Sequence, residues 1–527
     1  MKRILAVLFA LMAVTTMLFV SCAPKELTAD HADFVMSNGS EPTIDPSLLN
    51  DVPSTNVGLG LFEGMMQYDP TTNKGIPAMA ESYTVSSDGL TVTCKLRKAN
   101  WSDGHPVTAD DFVYAMQRIL DPKTASDYAY MPGMLIKGAD DYNSGKTTDF
   151  STVGIKALDP QTVQYTLVNP TPYFLDVLAH NSFWPLPKWA IDKYGTDWTK
   201  PGNIVTNGPY ILKEWKPQDY VFLVKNDKYW DAKNVHLRGI KILASDNDST
   251  NYDMYKSGQV DWMHGIATSK IDEIKLRSDY QTSPQVATYY YEFNVTRKPV
   301  NNVLVREALA AAIDKQTLVD KVTKGGQIPA DSMVPPLPGY TPAKGQGYNV
   351  EAAKKFLAEA GYPNGKGFPT LTIVYNTNEG HKAIAEYIQQ QWKTNLGINV
   401  VLKNMEFKTL IDLRAKAHDF TVARAGWVGD YMDPNTFLDM FVTGGGNNDT
   451  LYADPAYDKL IADARTASGD ARMQLLNQAE AKLLQQNQVV IPIYFYVNQN
   501  LIDTTKWAGW NATPLDFHPF KFIYRKK

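Results

Sequence analysis

Cysteine is nearly absent from these 527 residues: there are two, Cys22 and Cys94. That excludes a disulfide framework and a zinc site built from several thiolates. A basic excess is also missing, since 52 Lys and Arg face 56 Asp and Glu. Without one there is no electrostatic footprint for a phosphate backbone, so no nucleic-acid partner is expected. The charge imbalance and scarcity of aromatics that mark disorder are absent too, with 11% aromatic and 44% hydrophobic residues. Only one long apolar run occurs, residues 4–20, and it is slightly short for a spanning helix. The rest reads as soluble. At about 150 residues per domain the chain is long enough for three to four structural units.

The apolar run follows Met1-Lys2-Arg3, is broken only by Thr15 and Thr16, and ends at Ser21-Cys22-Ala23-Pro24. A basic start, an apolar stretch and small residues at the cut describe an export signal. Leu18-Phe19-Val20-Ser21-Cys22 resembles a bacterial lipobox, although Phe19 stands where Leu is commoner. The reading is a lipoprotein signal peptide over 1–21, with Cys22 acylated as the new N-terminus and 22–35 a polar tether. It places the protein in the cell envelope, lipid-anchored to a membrane and facing the periplasm or the extracellular side. An ordinary cleaved signal and an uncleaved anchor are the alternatives.

Strand and helix signals then alternate. Residues 90–96 and 162–167 alternate as strands, and Cys94 shares the apolar face of the first with Leu90, Val92 and Leu96, which reads as a buried, inert thiol. Thr108 caps a helix over 108–119 with Asp110 and Asp111 in its first turn. Strands are expected at 220–224, 239–244 and 289–295, and a helix over 302–322. From 351 the pattern repeats: helix 351–360, strand 371–375, helix 381–396, strand 398–402, helix 408–417, strand 420–427. Ile384, Ile388, Trp392 and Leu396 make one stripe, and Gly397 stops that helix. This spacing means βαβ units and a largely parallel sheet. A last apolar strand covers 489–497.

Enzyme motifs are few. No His-Glu-x-x-His, Gly-x-Ser-x-Gly or complete phosphate loop occurs. Asp430 and Asp433 are the one pair that suggests acid/base work, in a secreted hydrolase. Asp-x-x-Asp-Pro is equally a turn or helix start. No metal site and no cofactor are expected.

Trp101-Ser102-Asp103-Gly104 followed by Pro106-Val107-Thr108-Ala109-Asp110-Asp111-Phe112-Val113 resembles the extracytoplasmic peptide-binding proteins of ATP-driven oligopeptide importers, extracellular solute-binding protein family 5. Ile204-Val205-Thr206-Asn207-Gly208-Pro209-Tyr210, Val303 to Asp314, and Arg424-Ala425-Gly426-Trp427-Val428-Gly429-Asp430-Tyr431 fit in the same order. The resemblance implies an α/β, two-lobed periplasmic-binding-protein-like fold with a third, smaller domain beside lobe I. Lobe I would comprise 36–62, 190–286 and 498–527, the extra domain 63–189 and lobe II 287–497. The hinge would lie near 286–288 and 497. It implies a monomeric receptor, not an enzyme, that delivers short peptides to an ABC transporter permease.

The family's ligand positions carry over residue by residue. Asn50, Asp51 and Val52, with Gly426, Trp427 and Val428, would flank an extended peptide, whose backbone pairing is independent of its sequence. Asp430 would take the α-ammonium group. Tyr128 and Tyr290 would lie near the ligand, and Arg414, Arg424 and His381 would meet the C-terminal carboxylate at different ligand lengths. Asn50 stands where some members have Glu, and Ala287 and Val428 stand where some have a cysteine pair. Dipeptides, cell-wall peptides, nickel chelates and sugars are alternative ligands, because fold does not fix ligand.

Overall fold

The computed structural model describes residues 27–527. The signal peptide and the lipidation site at Cys22 lie outside the described residues. An eleven-stranded sheet runs through the molecule in the order Val400–Met405, Leu371–Asn376, Val422–Val428, Tyr280–Phe293, Val490–Ile502, Trp262–His264, Phe34–Ser37, Gly239–Leu243, Tyr220–Lys225 and Tyr210–Lys216, with Ile328–Pro329 also pairing on Val490–Ile502.

The expectation of a largely parallel sheet is met locally and corrected globally. Leu371–Asn376 is parallel to both Val400–Met405 and Val422–Val428. Helix Glu379–Leu396 connects the first two, burying Ile384, Ile388, Trp392 and Leu396 and ending at Gly397 with φ 72°. The two long strands, by contrast, are antiparallel to each other. At the far end a short loop joins Tyr210–Lys216 to Tyr220–Lys225, and so short a connection permits only antiparallel pairing. The sheet is therefore mixed.

Three element boundaries also change. The helix expected over 302–322 breaks after Val303–Ala311, because the Asp314 side chain accepts from the Thr317 N–H at 3.0 Å and starts a new turn at Lys315–Leu318. The helix expected over 408–417 is Phe407–Asp412 followed by a wider π turn, Leu413–Ala417. The last strand runs on to Ile502.

Tyr280–Phe293 and Val490–Ile502 are shared by the two halves of the sheet. Trp262–His264 pairs with Val490–Ile502 at residues 500–502, whereas Val422–Val428 pairs with Tyr280–Phe293 at residues 287–293. Between these attachments the register of the long pair shifts, from Pro284 to Thr288. Each half has its own apolar cluster: Tyr289, Phe293, Ile373, Ile384 and Trp392 on one side, Phe222, Tyr252, Met263 and Ile271 on the other. Burial of side chains like these is the main driving force for each half.

A separate four-stranded antiparallel sheet, Ala80–Val85, Thr91–Leu96, Thr162–Thr166 and Ile155–Asp159, belongs to the smaller unit. Helix Ala109–Leu120 accompanies it. Asp111 closes the capping box, accepting from the Thr108 N–H at 2.8 Å and from the Trp101 indole at 3.0 Å. The Trp101 and Thr108–Asp111 motif is thus a structural brace. Cys94 is fully buried and its thiol is pushed up to about 12 by burial, so it is inert as expected.

Candidate binding cleft

Where the two halves of the main sheet and the smaller unit meet, a cavity of about 370 Å³ opens. That volume is in the range of small-molecule pockets. One wall is the strand Val422–Val428. Its inner edge pairs along its whole length with Tyr280–Phe293. Its outer edge pairs with Leu371–Asn376 only at Val422 and Ala423. From Arg424 to Val428 that edge has no strand neighbour among the described residues. Arg424, Gly426 and Val428 alternate onto one face and line the cavity. A Cβ on Gly426 would stand 2.8 Å from the Tyr496 hydroxyl and 3.2 Å from Arg424 Nη2, so glycine keeps this stretch of backbone open.

Asp430 closes one end of the edge. It is 6% exposed. The Tyr128 hydroxyl donates to its Oδ1 at 3.2 Å, and the Tyr130 hydroxyl reaches its Oδ2 at 3.5 Å. His180 Nε2 lies 3.5 Å from Oδ1. Burial and then Asp430 push the Tyr128 phenol well above its usual range, so it remains a donor. No Lys or Arg pairs with Asp430 among the described residues. The Trp427 ring lies parallel to that of Tyr128, at 6.4 Å between centroids.

Arg424 holds the other end. Its Nη2 donates to the Tyr496 hydroxyl at 2.8 Å and its guanidinium sits 4.7 Å over the Tyr289 ring. Its Nε is buried without an acceptor. No carboxylate pairs with it among the described residues. A charge held out of water without a counter-charge is costly. The cavity therefore offers an unmatched anion at one end and an unmatched cation at the other.

The remaining expected residues are spread around this axis. Asn50 and Val52 line the facing wall, where Asn50 Nδ2 donates to Asp127 Oδ2 at 2.7 Å and Asp51 caps helix Val52–Leu61. Tyr290 is fully buried in its strand, yet lines the cavity and has an unpartnered hydroxyl. Arg414 also lines it, but it pairs with Glu292 and, at 2.8 Å, with Asp449. In this structure it is not a free partner for a ligand carboxylate.

His381 departs from expectation. It lies outside the cavity lining, with Nδ1 3.3 Å from the Tyr289 hydroxyl. Burial, and then Arg424, push its pKa well below the usual range, so the imidazole is neutral and has no charge to offer a carboxylate. Ala287 and Val428 sit directly opposite each other in the antiparallel register, as a cysteine pair would require, and neither is cysteine.

Sequence reasoning missed Asp127, Asp449, His264 and Asp516, all of which line the cavity. They come from segments far apart in the chain, and none carries a local spacing signal.

The hydrolytic alternative needs Asp430 and Asp433 as a working pair. Asp433 is instead held by Arg472, at 2.8 Å to each oxygen. A bidentate clamp of this kind is a structural brace.

Residues 74–449 match the family model of bacterial extracellular solute-binding proteins, family 5 middle region. The chain is 39% identical over 516 residues to the periplasmic oligopeptide-binding protein OppA of Salmonella typhimurium, covering 94% of this chain and 93% of that one. The oligopeptide-binding protein OppAIV of Borrelia burgdorferi superposes with a TM-score of 0.91 at 37% identity, covering 94% of this chain and 99% of that one. The Escherichia coli murein tripeptide binding protein MppA superposes with a TM-score of 0.89 at 34% identity, covering 94% and 98%. Its unliganded open form, at the same identity and covering 93% and 97%, gives 0.63. The fold is the two-lobed α/β receptor fold, and its conformation departs from that open form. The chain is a binding protein, not an enzyme, and belongs to the bacterial extracellular solute-binding proteins of family 5.

Proposed function

We propose that this protein is an extracytoplasmic receptor that clamps a short peptide, in extended form, between its two lobes. The observation that carries the reading is the open strand edge from Arg424 to Val428, with a guanidinium that no carboxylate pairs at one end and, just beyond the other, a carboxylate that no Lys or Arg pairs among the described residues. A peptide is the ligand that matches all three features. Its backbone adds to the edge as a strand, its ammonium group meets Asp430 and its carboxylate meets Arg424. At ~3.3 Å per residue the six steps from Arg424 to Asp430 span about 20 Å, and the reach of the two side chains leaves room for a few extended residues. The relatives named for oligopeptides and a murein tripeptide support this class of ligand.

The lobes would close about the register shift between Pro284 and Thr288, with the second crossing near 497. Arg414 and Tyr290 line the cavity beside the open edge, and His381 would support it from behind. The lipobox at Cys22 supports a lipid anchor in the cell envelope, and the transporter named for the Borrelia neighbour supports delivery to an ABC permease. Small-angle scattering tests the clamp. Saturating tripeptide should shrink the radius of gyration and raise the melting temperature, as selective binding to the closed native state requires. Binding with neither change would overturn the two-lobed clamp.

A further inference from the structure

The main sheet gathers three strand beginnings at one edge. Strand Phe34–Ser37 runs parallel to Gly239–Leu243 on one side and to Trp262–His264 on the other, so all three start together. The cavity lies toward their far ends, where His264, the last residue of its strand, lines it. The N-terminal segment packs at the starting edge. The Asp33 N–H donates to the Gly239 carbonyl at 3.0 Å, and Leu27 lies so close to Gly239 that an added Cβ would meet its Cδ2 at 2.5 Å. Five residue steps separate Leu27 from Cys22. At up to ~3.6 Å a step they reach at most ~18 Å, so lipid on Cys22 would hold this edge at a bilayer surface.

The charges at this edge are unbalanced. Asp33 is matched by Arg238 at 2.6 Å, and Asp30 faces Lys241 at 3.9 Å. Arg525 stands opposite Trp507 in a two-stranded ribbon, and the Lys526 N–H donates to the Lys506 carbonyl at 2.7 Å, which brings Lys506, Arg525, Lys526 and Lys527 together. Trp507 packs on Phe34, the first residue of its strand, at 4.8 Å between ring centroids. All four cationic side chains are exposed. None of the four forms an ion pair among the described residues. Against them stand Asp261 and Asp503. Burial raises the Asp261 carboxyl, while the Val35 N–H, Lys506 and Arg525 oppose the rise. Asp503 accepts from the Thr505 N–H at 2.9 Å. The whole chain carries a net charge of −4, so a cationic edge is a local feature and not a consequence of composition.

A second, independent observation marks the same edge. Tyr524, opposite Ala508 in the ribbon, is 42% exposed, and its ring lies 5.2 Å from that of His236, two residues before Arg238. An exposed aromatic ring with a polar tip, set among Lys and Arg, is the side-chain set that membrane–water interfaces favour.

We propose that this edge is a membrane-facing surface: Lys506, Arg525, Lys526 and Lys527 meet the phosphates of anionic phospholipids, and the Tyr524 ring enters the headgroup layer. The geometry rests on the lipid-anchor reading of Cys22, and the charge rests on the folded residues alone. Docked this way, the receptor holds its cavity on the side away from the bilayer, open to ligand. Exposed charge contacts are screened beyond about 8 Å at physiological ionic strength. The surface therefore orients the receptor without locking it, and leaves it free to turn toward a permease.

The test is flotation of the mature chain, made from residue 23 onward without lipid, with vesicles of phosphatidylcholine alone and with phosphatidylglycerol added. A basic residue near an anionic surface is worth about fivefold in binding. Partition into the phosphatidylglycerol vesicles should therefore be at least about tenfold stronger at low salt, and the preference should shrink as salt rises. The triple variant Arg525→Glu, Lys526→Glu and Lys527→Glu should lose the preference. The triple variant Lys354→Glu, Lys355→Glu and Lys382→Glu changes the net charge equally, on exposed helix positions of the other half of the sheet, and should keep it. Should the first triple variant fail to fold, Lys526→Glu alone decides, with an expected loss of about fivefold. Equal partition into both kinds of vesicle, or an equal loss in both triple variants, overturns the membrane-facing surface. The anchor is read separately, by lipid labelling of the wild-type chain at Cys22. Absence of label would remove the anchor, while flotation still decides the cationic surface.

Discussion

Replacing Asp430 by asparagine keeps the shape of the side chain and removes its charge. In the folded protein that carboxylate is 6% exposed, and its neighbours are two phenols, at 3.2 and 3.5 Å, the Thr436 hydroxyl at 3.5 Å and an imidazole at 3.5 Å. None is a fixed cation. Under the proposed function the counter-charge arrives with the ligand, as the ammonium group of the peptide. Losing one partner of such a buried, hydrogen-bonded pair costs about 2–5 kcal/mol. Since about 1.4 kcal/mol is tenfold, Asp430→Asn should weaken a free-amine tripeptide by at least about thirtyfold. N-acetylating the peptide should produce a similar loss against the wild-type protein. Combining the two changes should cost clearly less than their sum, because both remove the same pair. The assay is calorimetric titration of two proteins against two peptides. Asp433→Asn is the control: its carboxylate is held by Arg472, so it should lower stability more than affinity. Additive losses in the Asp430 cycle would refute the placement of the amino terminus and the residue-by-residue reasoning around it.

Arg424→Met should weaken a tripeptide with a free carboxylate by about thirtyfold or more and a tripeptide amide much less, by the same pair logic. Because the guanidinium has no counter-ion in the unbound protein, the variant should melt no lower than the wild type in the absence of peptide; a large drop in melting temperature would show that Arg424 is structural. Asp248 accepts from Asn378 Nδ2 at 2.7 Å, and its carboxyl is pushed up to about 6, mainly by burial, with Glu379 and Asp246 adding and Asn378 and His264 opposing. The folded chain thus holds this proton to higher pH than the unfolded chain, and stability falls as pH rises from about 4 to 6. Asp248→Asn should raise the melting temperature at pH 7.5, with the gain fading as pH falls toward about 4; a gain independent of pH would contradict this. Cys22→Ser should abolish metabolic lipid labelling and leave unprocessed or soluble protein, since stable anchoring needs the acyl chains; unchanged labelling would remove the anchor from the account.

Much of the stretch from 351 to 427, and some of the smaller unit, was legible because local rules decide it. The stripe Ile384, Ile388, Trp392 and Leu396 is buried, and Gly397 takes the left-handed turn that its position asks for. The capping box at Thr108 follows from three residues of sequence. The long strands were not legible at full length, because strand length and direction depend on neighbours hundreds of residues away. Val490–Ile502 pairs with both Tyr280–Phe293 and Trp262–His264, and no local pattern records that. The site divides in the same way. Resemblance put Tyr128 and Asp430, 302 positions apart, each near the ligand, but their contact at 3.2 Å is written in no spacing rule. Resemblance also put Ala287 opposite Val428. It put His381 near the ligand, whereas the structure buries that imidazole against Tyr289, outside the cavity lining. It was silent on Asp127 and Asp449, whose importance arises only when loops from different units converge.

The central claim is that a short zwitterionic peptide fills the cleft. Native mass spectrometry of the mature chain, purified without unfolding from cells grown in peptide-rich medium, tests it most directly. The account predicts a population of complexes which, on denaturation, releases a mixture of peptides a few residues long, each with a free amine and a free carboxylate. Release of a single non-peptide compound, or recovery of empty protein that takes up no added tri-alanine, would contradict it.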